Sequence, residues 1–398
     1  MNLFRIVSLV VLISVSAPIL QVRAANENDF GGELGLPEVV YHLDLPRRMF
    51  LEPKILLPEA DEYIRPDFIA FFLKTLEAAP DTELRIDAAR SLKTIHTKDL
   101  ADLSEHASNV LRVLQSAEQT QLQEAAASLL ISLKPKALAA DVAAVFSPAQ
   151  EVLSLQGEPG FVDWGGDVMR ESWLSRIQSP EKFSEPLVDL ACRGLADLKA
   201  AESLPTLENL LANRFLVFAK RNSAALAIGR INSARAAELA EPLLTDDLAA
   251  RILAVGLLSH PESEAELKLM LKLCDDASTA IASRAWATVA DRKAEMLLDR
   301  LNAGVTHQES NVRRTAVRVM RELPTAERCA LLYRLTADVN LYVRNEARGA
   351  LTDLTQSHPD LRDGILQSAG DVVRDSQSAW QSLEQAMVLL GDLRHREY

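Results

Sequence analysis

Four stretches of the chain carry one pattern at one interval: an aliphatic residue, a small residue four positions on, and an aliphatic residue four beyond that. The frame falls on Ala250, Ala254 and Leu258, on Ile281, Ala285 and Val289, on Val312, Ala316 and Met320, and on Val343, Ala347 and Leu351. The four frames are evenly spaced along the chain. A constant spacing of this size marks a repeat architecture, in which each unit buries its apolar face only by stacking on a neighbour. Positions i, i+4 and i+8 share one stripe of an α-helix. The small central residue lets a second helix approach, and the aliphatic residues at either end fill the gaps. The segment before each frame supplies another apolar stripe, as with Leu267, Met270, Leu271 and Leu273. One period accommodates two helices of about 11–12 residues and two short turns. The predicted fold is all-α, an α–α superhelix (solenoid) of stacked antiparallel helical hairpins.

The frame also falls on Leu84, Ala88 and Leu92, on Leu122, Ala126 and Leu130, on Leu187, Ala191 and Leu195, on Lys220, Ala224 and Ile228, and loosely on Ser382, Ala386 and Leu390. Residues 61–145 therefore read as N-terminal repeats, 184–358 as regular repeats and 359–398 as a C-terminal cap. The first helix opens at Arg65-Pro66-Asp67, with Phe68, Phe71, Phe72 and Leu76 spaced for one buried face. Residues 146–183 interrupt the rhythm, since the frame that begins at Leu122 is followed only at Leu187, two periods on. Gly157, Gly160, Gly165 and Gly166 fall in this gap, and glycine disfavours helix by about 1 kcal/mol per residue. The sequence predicts a loop over Gly157 to Gly166, inserted in a degenerate repeat.

Residues 1–24 read as an export signal. Arg5 is followed by an apolar run from Ile6 to Leu20, and Val22-Arg23-Ala24 suits cleavage after Ala24. A retained anchor is the alternative, and the mass of the mature N-terminus separates the two. After cleavage no membrane span is predicted, and the product is periplasmic or extracellular. Residues 25–60, broken by glycine and proline, read as an irregular arm or cap. The full chain carries a net charge of −13. The leader holds two arginines and no acid. Its loss makes the chain more acidic still, which argues against general binding to phosphate backbones. Cys192, Cys274 and Cys329 are odd in number and widely spread, which is no disulfide framework.

The segments NVRRTAVRVMREL (311–323) and YVRNEARGALTDL (342–354) resemble second helices of HEAT repeats, with Val-Arg, two spacers, a small residue and a Leu-containing end. Arg85, Arg221, Arg251, Arg313 and Arg344 directly follow the frame residue, and Asp276 and Asp338 stand five before it. The resemblance spans roughly residues 60–395, and the short period is similar to that of phycobilisome-lyase-type units. It implies that these arginines and acids form a polar ladder between helices. Arg284, displaced from its slot, departs from the pattern.

Chemistry is hard to place on this scaffold. None of His42, His96, His106, His260, His307, His358 and His395 is followed by glutamate, and no two share a helix at ligand spacing. No Walker loop, haem motif or nucleophile elbow is present. No metal, cofactor or catalytic residue is expected. A bilin lyase is the enzymatic reading of the repeat type, and a structural envelope component is another. A protein-binding scaffold is the reading adopted, and two surfaces are candidates for its partner. One is the insertion, with Phe161, Asp163, Trp164 and Trp173: either the tryptophan is an exposed anchor, or Trp173 packs in a degenerate helix while Trp164 plugs a joint. The other holds Arg314, Arg318, Arg321 and Arg348. It is either a solvated face with ion pairs within helices, or a basic patch for an acidic partner segment.

Overall fold

A computed structural model describes residues 66–146 and 150–393. The expectations for the leader and for the 25–60 arm lie outside the described residues. Among those residues every regular element is helical. Ten helix pairs follow one another, from Ile69–Ala78 with Thr82–Thr97 to Pro359–Arg374 with Trp380–Asp392. Second helices pack on second helices in unbroken succession from Thr82–Thr97 to Trp380–Asp392. This stack is the solenoid that the constant interval predicts.

The frame residues do what their spacing requires. Ala254, Ala285, Ala316 and Ala347 are each 0% exposed, and the aliphatic residues on either side are buried with them. Lys220 occupies an aliphatic slot without breaking the rule. Its stem is buried, and its ammonium donates to the carbonyls of Pro180 and Phe183, 2.7 Å each. Turns close with side-chain caps: Asp81 accepts from the Glu83 amide, Asp247 from the Ala250 amide, and Ser263 and Glu266 form a capping box.

Two expectations need correction. The loop over Gly157 to Gly166 is helical. Glu151–Gly157 runs into a 3-10 turn, Glu158–Phe161, and then into the 17-residue helix Val162–Gln178. The glycines serve space. A methyl group on Gly157 would fall 2.3 Å from the Phe146 ring, one on Gly165 2.5 Å from Phe161, and one on Gly194 2.6 Å from Trp173. Close approach of helix to ring outweighs the helix propensity lost. The gap is therefore a full repeat. Leu153, Gly157 and Phe161 carry the frame one period after Leu122, and all three are buried. It escapes an aliphatic–small–aliphatic search because its last member is aromatic.

The second correction concerns the first helix. Phe72 and Leu76 turn inward, but Phe68 and Phe71 are 46% and 53% exposed. A terminal helix has a neighbouring layer on one side only, and no described helix covers the other.

Candidate functional site

The inside of the stack is a ladder of arginines. Arg85 donates from Nε to the Leu76 carbonyl at 2.8 Å, and Arg221 to the Leu211 carbonyl at 2.9 Å, each tying a second helix to the end of its own first helix. These carbonyls lack intrahelical partners, so the guanidinium completes them. Further along, the ladder crosses between units. Arg251 donates to the Asp276 carboxylate at 2.7 Å, and Arg313 grips Asp338 through two bonds of 2.6 and 2.8 Å. Arg313 also takes the carbonyls of His307 and Gln308. The 281 unit lacks both halves of its rung: Ala282 stands in the arginine slot, and His307 stands where the receiving acid would be. There the Trp286 indole N–H donates to the Cys274 carbonyl instead, at 3.2 Å.

The outer side of the second helices offers the recessed surface. One recess of about 690 Å³ lies over the Thr82–Thr97 and Thr120–Leu133 helices, with Glu83, Arg90, Lys93, Gln121 and Glu124 on its walls. Another of about 570 Å³ lies over Thr279–Lys293 and Ser310–Glu322, with Ser283, Arg284, Asn311, Arg314 and Arg318. Both use the same repeat positions: the residue before the frame and those two and six after its start. At these positions polar side chains such as Glu83, Arg90, Ser283 and Arg314 are interspersed with apolar ones such as Ile86 and Ala287.

The arginine cluster lies on this face, and its charge is already matched. Arg314 makes a two-pronged bond to Glu346, 2.8 and 3.0 Å, which lifts its pKa. Arg318 pairs with Asp291 at 2.8 Å and Arg321 with Asp353 at 3.4 Å. Arg348 pairs with Asp392 at 2.7 Å and donates to Gln385 at 3.0 Å. The expectation of ion pairs within helices is wrong in one respect: each of these pairs joins two neighbouring units. The basic-patch alternative for these four arginines meets a surface already supplied with carboxylates.

The insertion residues divide. Asp163 is exposed and lies 3.9 Å from Lys134. Phe161 and Trp164 are 0% and 8% exposed, which corrects the exposed-anchor alternative. Phe161 meets Phe146 edge-on at 6.0 Å between centroids and Trp164 at 4.3 Å, so the three rings fill the joint between the third and fourth units. The structure does not bring Phe161, Asp163 and Trp164 together with the arginines; several units separate them.

Behind these rings lies a group the sequence did not reveal. Glu158 and Arg176 are 0% and 1% exposed and face each other through bonds of 2.6 and 2.8 Å. The Trp173 indole N–H donates to the same Glu158 carboxylate at 2.8 Å. A buried charge needs such a partner. Glu158 lies in the 3-10 turn and Arg176 far along the next helix, so no helical spacing announces the pair. The three cysteines are unbridged and buried. Burial pushes the Cys274 thiol up to about 12 and raises the other two, so they pack as small apolar groups.

No protein-family model and no curated protein sequence matches the chain. Among solved structures it is similar to Kap95p in a complex with RanGDP, with TM-score 0.47 and 13% identity over 83% of this chain and 46% of that one. It is also similar to Kap121p bound to Pho4p, with TM-score 0.39 and 11% identity over 84% of this chain and 46% of that one. The chain spans about half the length of these proteins. The likeness is one of helical stacking and says nothing of ligand. By its own helix pairing, frame burial and arginine ladder, the protein is a HEAT-like α-solenoid.

Proposed function

We propose that the protein is an exported interaction scaffold that holds a protein partner along the outer face of its second helices. The observation that supports this most directly is the unbroken stack of second helices, which sets equivalent polar positions side by side over ten units. Stacked repeats generate extended binding surfaces of this kind. The two recesses are open and polar, and suit an extended segment or a domain edge better than a small molecule, whose sites are apolar and enclosing. Export is read from residues 1–24 alone. Crosslinking and mass spectrometry in the native compartment test both parts. Crosslinks from a partner to Lys93, Lys199 or Lys293 and a mature N-terminus near residue 25 are expected. Partner crosslinks confined to first helices would overturn the face, and recovery of the uncleaved chain in the cytoplasm would overturn export.

A further inference from the structure

An acidic chain should carry few surfaces where cations outnumber carboxylates, yet one edge of the second-helix stack does. Lys199, Arg230, His260 and Asp291 stand one repeat apart, at the C-terminal ends of four successive second helices. Their order in the stack is fixed by packing: Glu185–Asp197 on Phe218–Ile231, then Leu248–Leu257, then Thr279–Lys293. The Lys199 ammonium reaches across one unit boundary to the Arg230 carbonyl, and Arg230 reaches back to Asp197. Asp291 is committed to Arg318. Beside it on the Thr279–Lys293 helix, Arg284 and Arg292 are both exposed, and neither has an ion pair with a described residue. Burial first, and then the charges of Arg230, Arg292, Arg284 and Lys199, hold the His260 pKa below its ordinary value. At this edge Arg230 is paired with Asp197 and Asp291 with Arg318, and Glu262 stands exposed two residues beyond His260, which leaves Lys199, Arg284 and Arg292 without a carboxylate partner among the described residues. Arg314, Arg318, Arg321 and Arg348, by contrast, are each matched one for one.

We propose that this edge, built from Lys199, Arg230, Arg284 and Arg292 around His260, docks an acidic, extended segment of a protein partner. Neighbouring layers lie about 8–10 Å apart, so four units span roughly 25–30 Å. At about 3.3 Å per residue, that distance takes about eight or nine residues of extended chain. A nucleic acid running further would meet the general negative field of the molecule. The inference rests on the scaffold reading and adds the chemistry of the partner.

The experiment uses the purified full chain and a fluorescein-labelled peptide of eight glutamates, followed by fluorescence anisotropy. Binding is expected to weaken as ionic strength rises from about 0.01 M to about 0.15 M. The Arg284→Ala/Arg292→Ala variant is expected to lose about tenfold in affinity. Arg314→Ala/Arg321→Ala removes the same charge from paired positions and should lose less than about twofold. Equal loss in the two variants, no binding by the unaltered protein, or tighter binding of an eight-nucleotide oligothymidylate would each overturn the proposal. The scaffold reading fails separately. If native-partner crosslinks persist on the second-helix face in the Arg284→Ala/Arg292→Ala variant, the scaffold stands and the acidic dock falls.

Discussion

Two parts of the stack close the same gap with opposite side-chain choices. Between Val312 and Leu351 the helices nest through alanines set among aliphatic rows. Between Phe146 and Gly194 they nest through glycines set against aromatic rings, with a buried ion pair behind them. Both satisfy the need for dense packing. They differ in tolerance. An alanine row repeats, so each contact resembles the next, whereas Trp173 fits one glycine and Glu158 satisfies one arginine. The regular region spreads its polar bonds over separate rungs, and Arg251 and Arg313 each have more than one acceptor. The glycine–aromatic region concentrates them in one carboxylate.

The largest expected difference follows from that concentration. Glu158→Gln leaves Arg176 buried against a neutral amide and should cost about 3–5 kcal/mol, read from the midpoint of urea unfolding. Asp338→Asn in the regular region should cost about 1–3 kcal/mol, because Arg313 keeps the carbonyls of His307 and Gln308. Equal costs would erase the contrast. Next in size, Gly194→Ala overpacks the Trp173 ring and should cost about 1–3 kcal/mol. In a Trp173→Phe background that cost should shrink, and a double-mutant cycle measures the coupling. Smaller again, Arg321→Ala removes an exposed pair and should change stability by less than about 1 kcal/mol. A larger loss would mean that the inter-unit pairs support the regular region more than their exposure suggests.

The smallest effect concerns pH. Burial, then Arg230, Arg292, Arg284 and Lys199, hold His260 below its ordinary 6.5. As pH falls past 6.5 the unfolded chain takes up a proton that the folded chain resists, so folding stability declines on the acid side. Comparison of Tm against pH for the unaltered protein and His260→Gln should show a shallower slope in the variant. Identical slopes would remove His260 from the account.

The regular region was legible because its signal is periodic. Ala254, Ala285, Ala316 and Ala347 recur at even spacing, and every one is buried. The ladder pair Arg313–Asp338 is what the resemblance to HEAT repeats implies, and the structure forms it. The third unit was not legible, because Gly157 reads as a helix breaker and Phe161 as part of a partner surface, when one makes room for Phe146 and the other ends the frame. Propensity describes an isolated helix, and here a neighbouring ring decides. Glu158 and Arg176 were illegible for a different reason: a long stretch of chain and a change of helix type separate them, and only packing brings them face to face. The partners of Arg314 and Arg321 are not legible from spacing within a helix, because Glu346 and Asp353 stand on the second helix of the next unit.

A chain of near-copies has a counting problem, since in outline any second helix can nest on any other. The Glu158–Arg176–Trp173 group gives such a chain an index mark. Its hydrogen bonds join the turn that follows the third unit to the first helix of the fourth, and an arrangement that separates the two leaves a carboxylate stranded in apolar surroundings at a cost of several kcal/mol. Replacing Glu158 and Arg176 together by methionine should therefore preserve much of the melting temperature yet yield more mispaired oligomer on refolding, visible by size-exclusion chromatography. A variant that refolds as cleanly as the original would show that the order of units is kept by the loops between them.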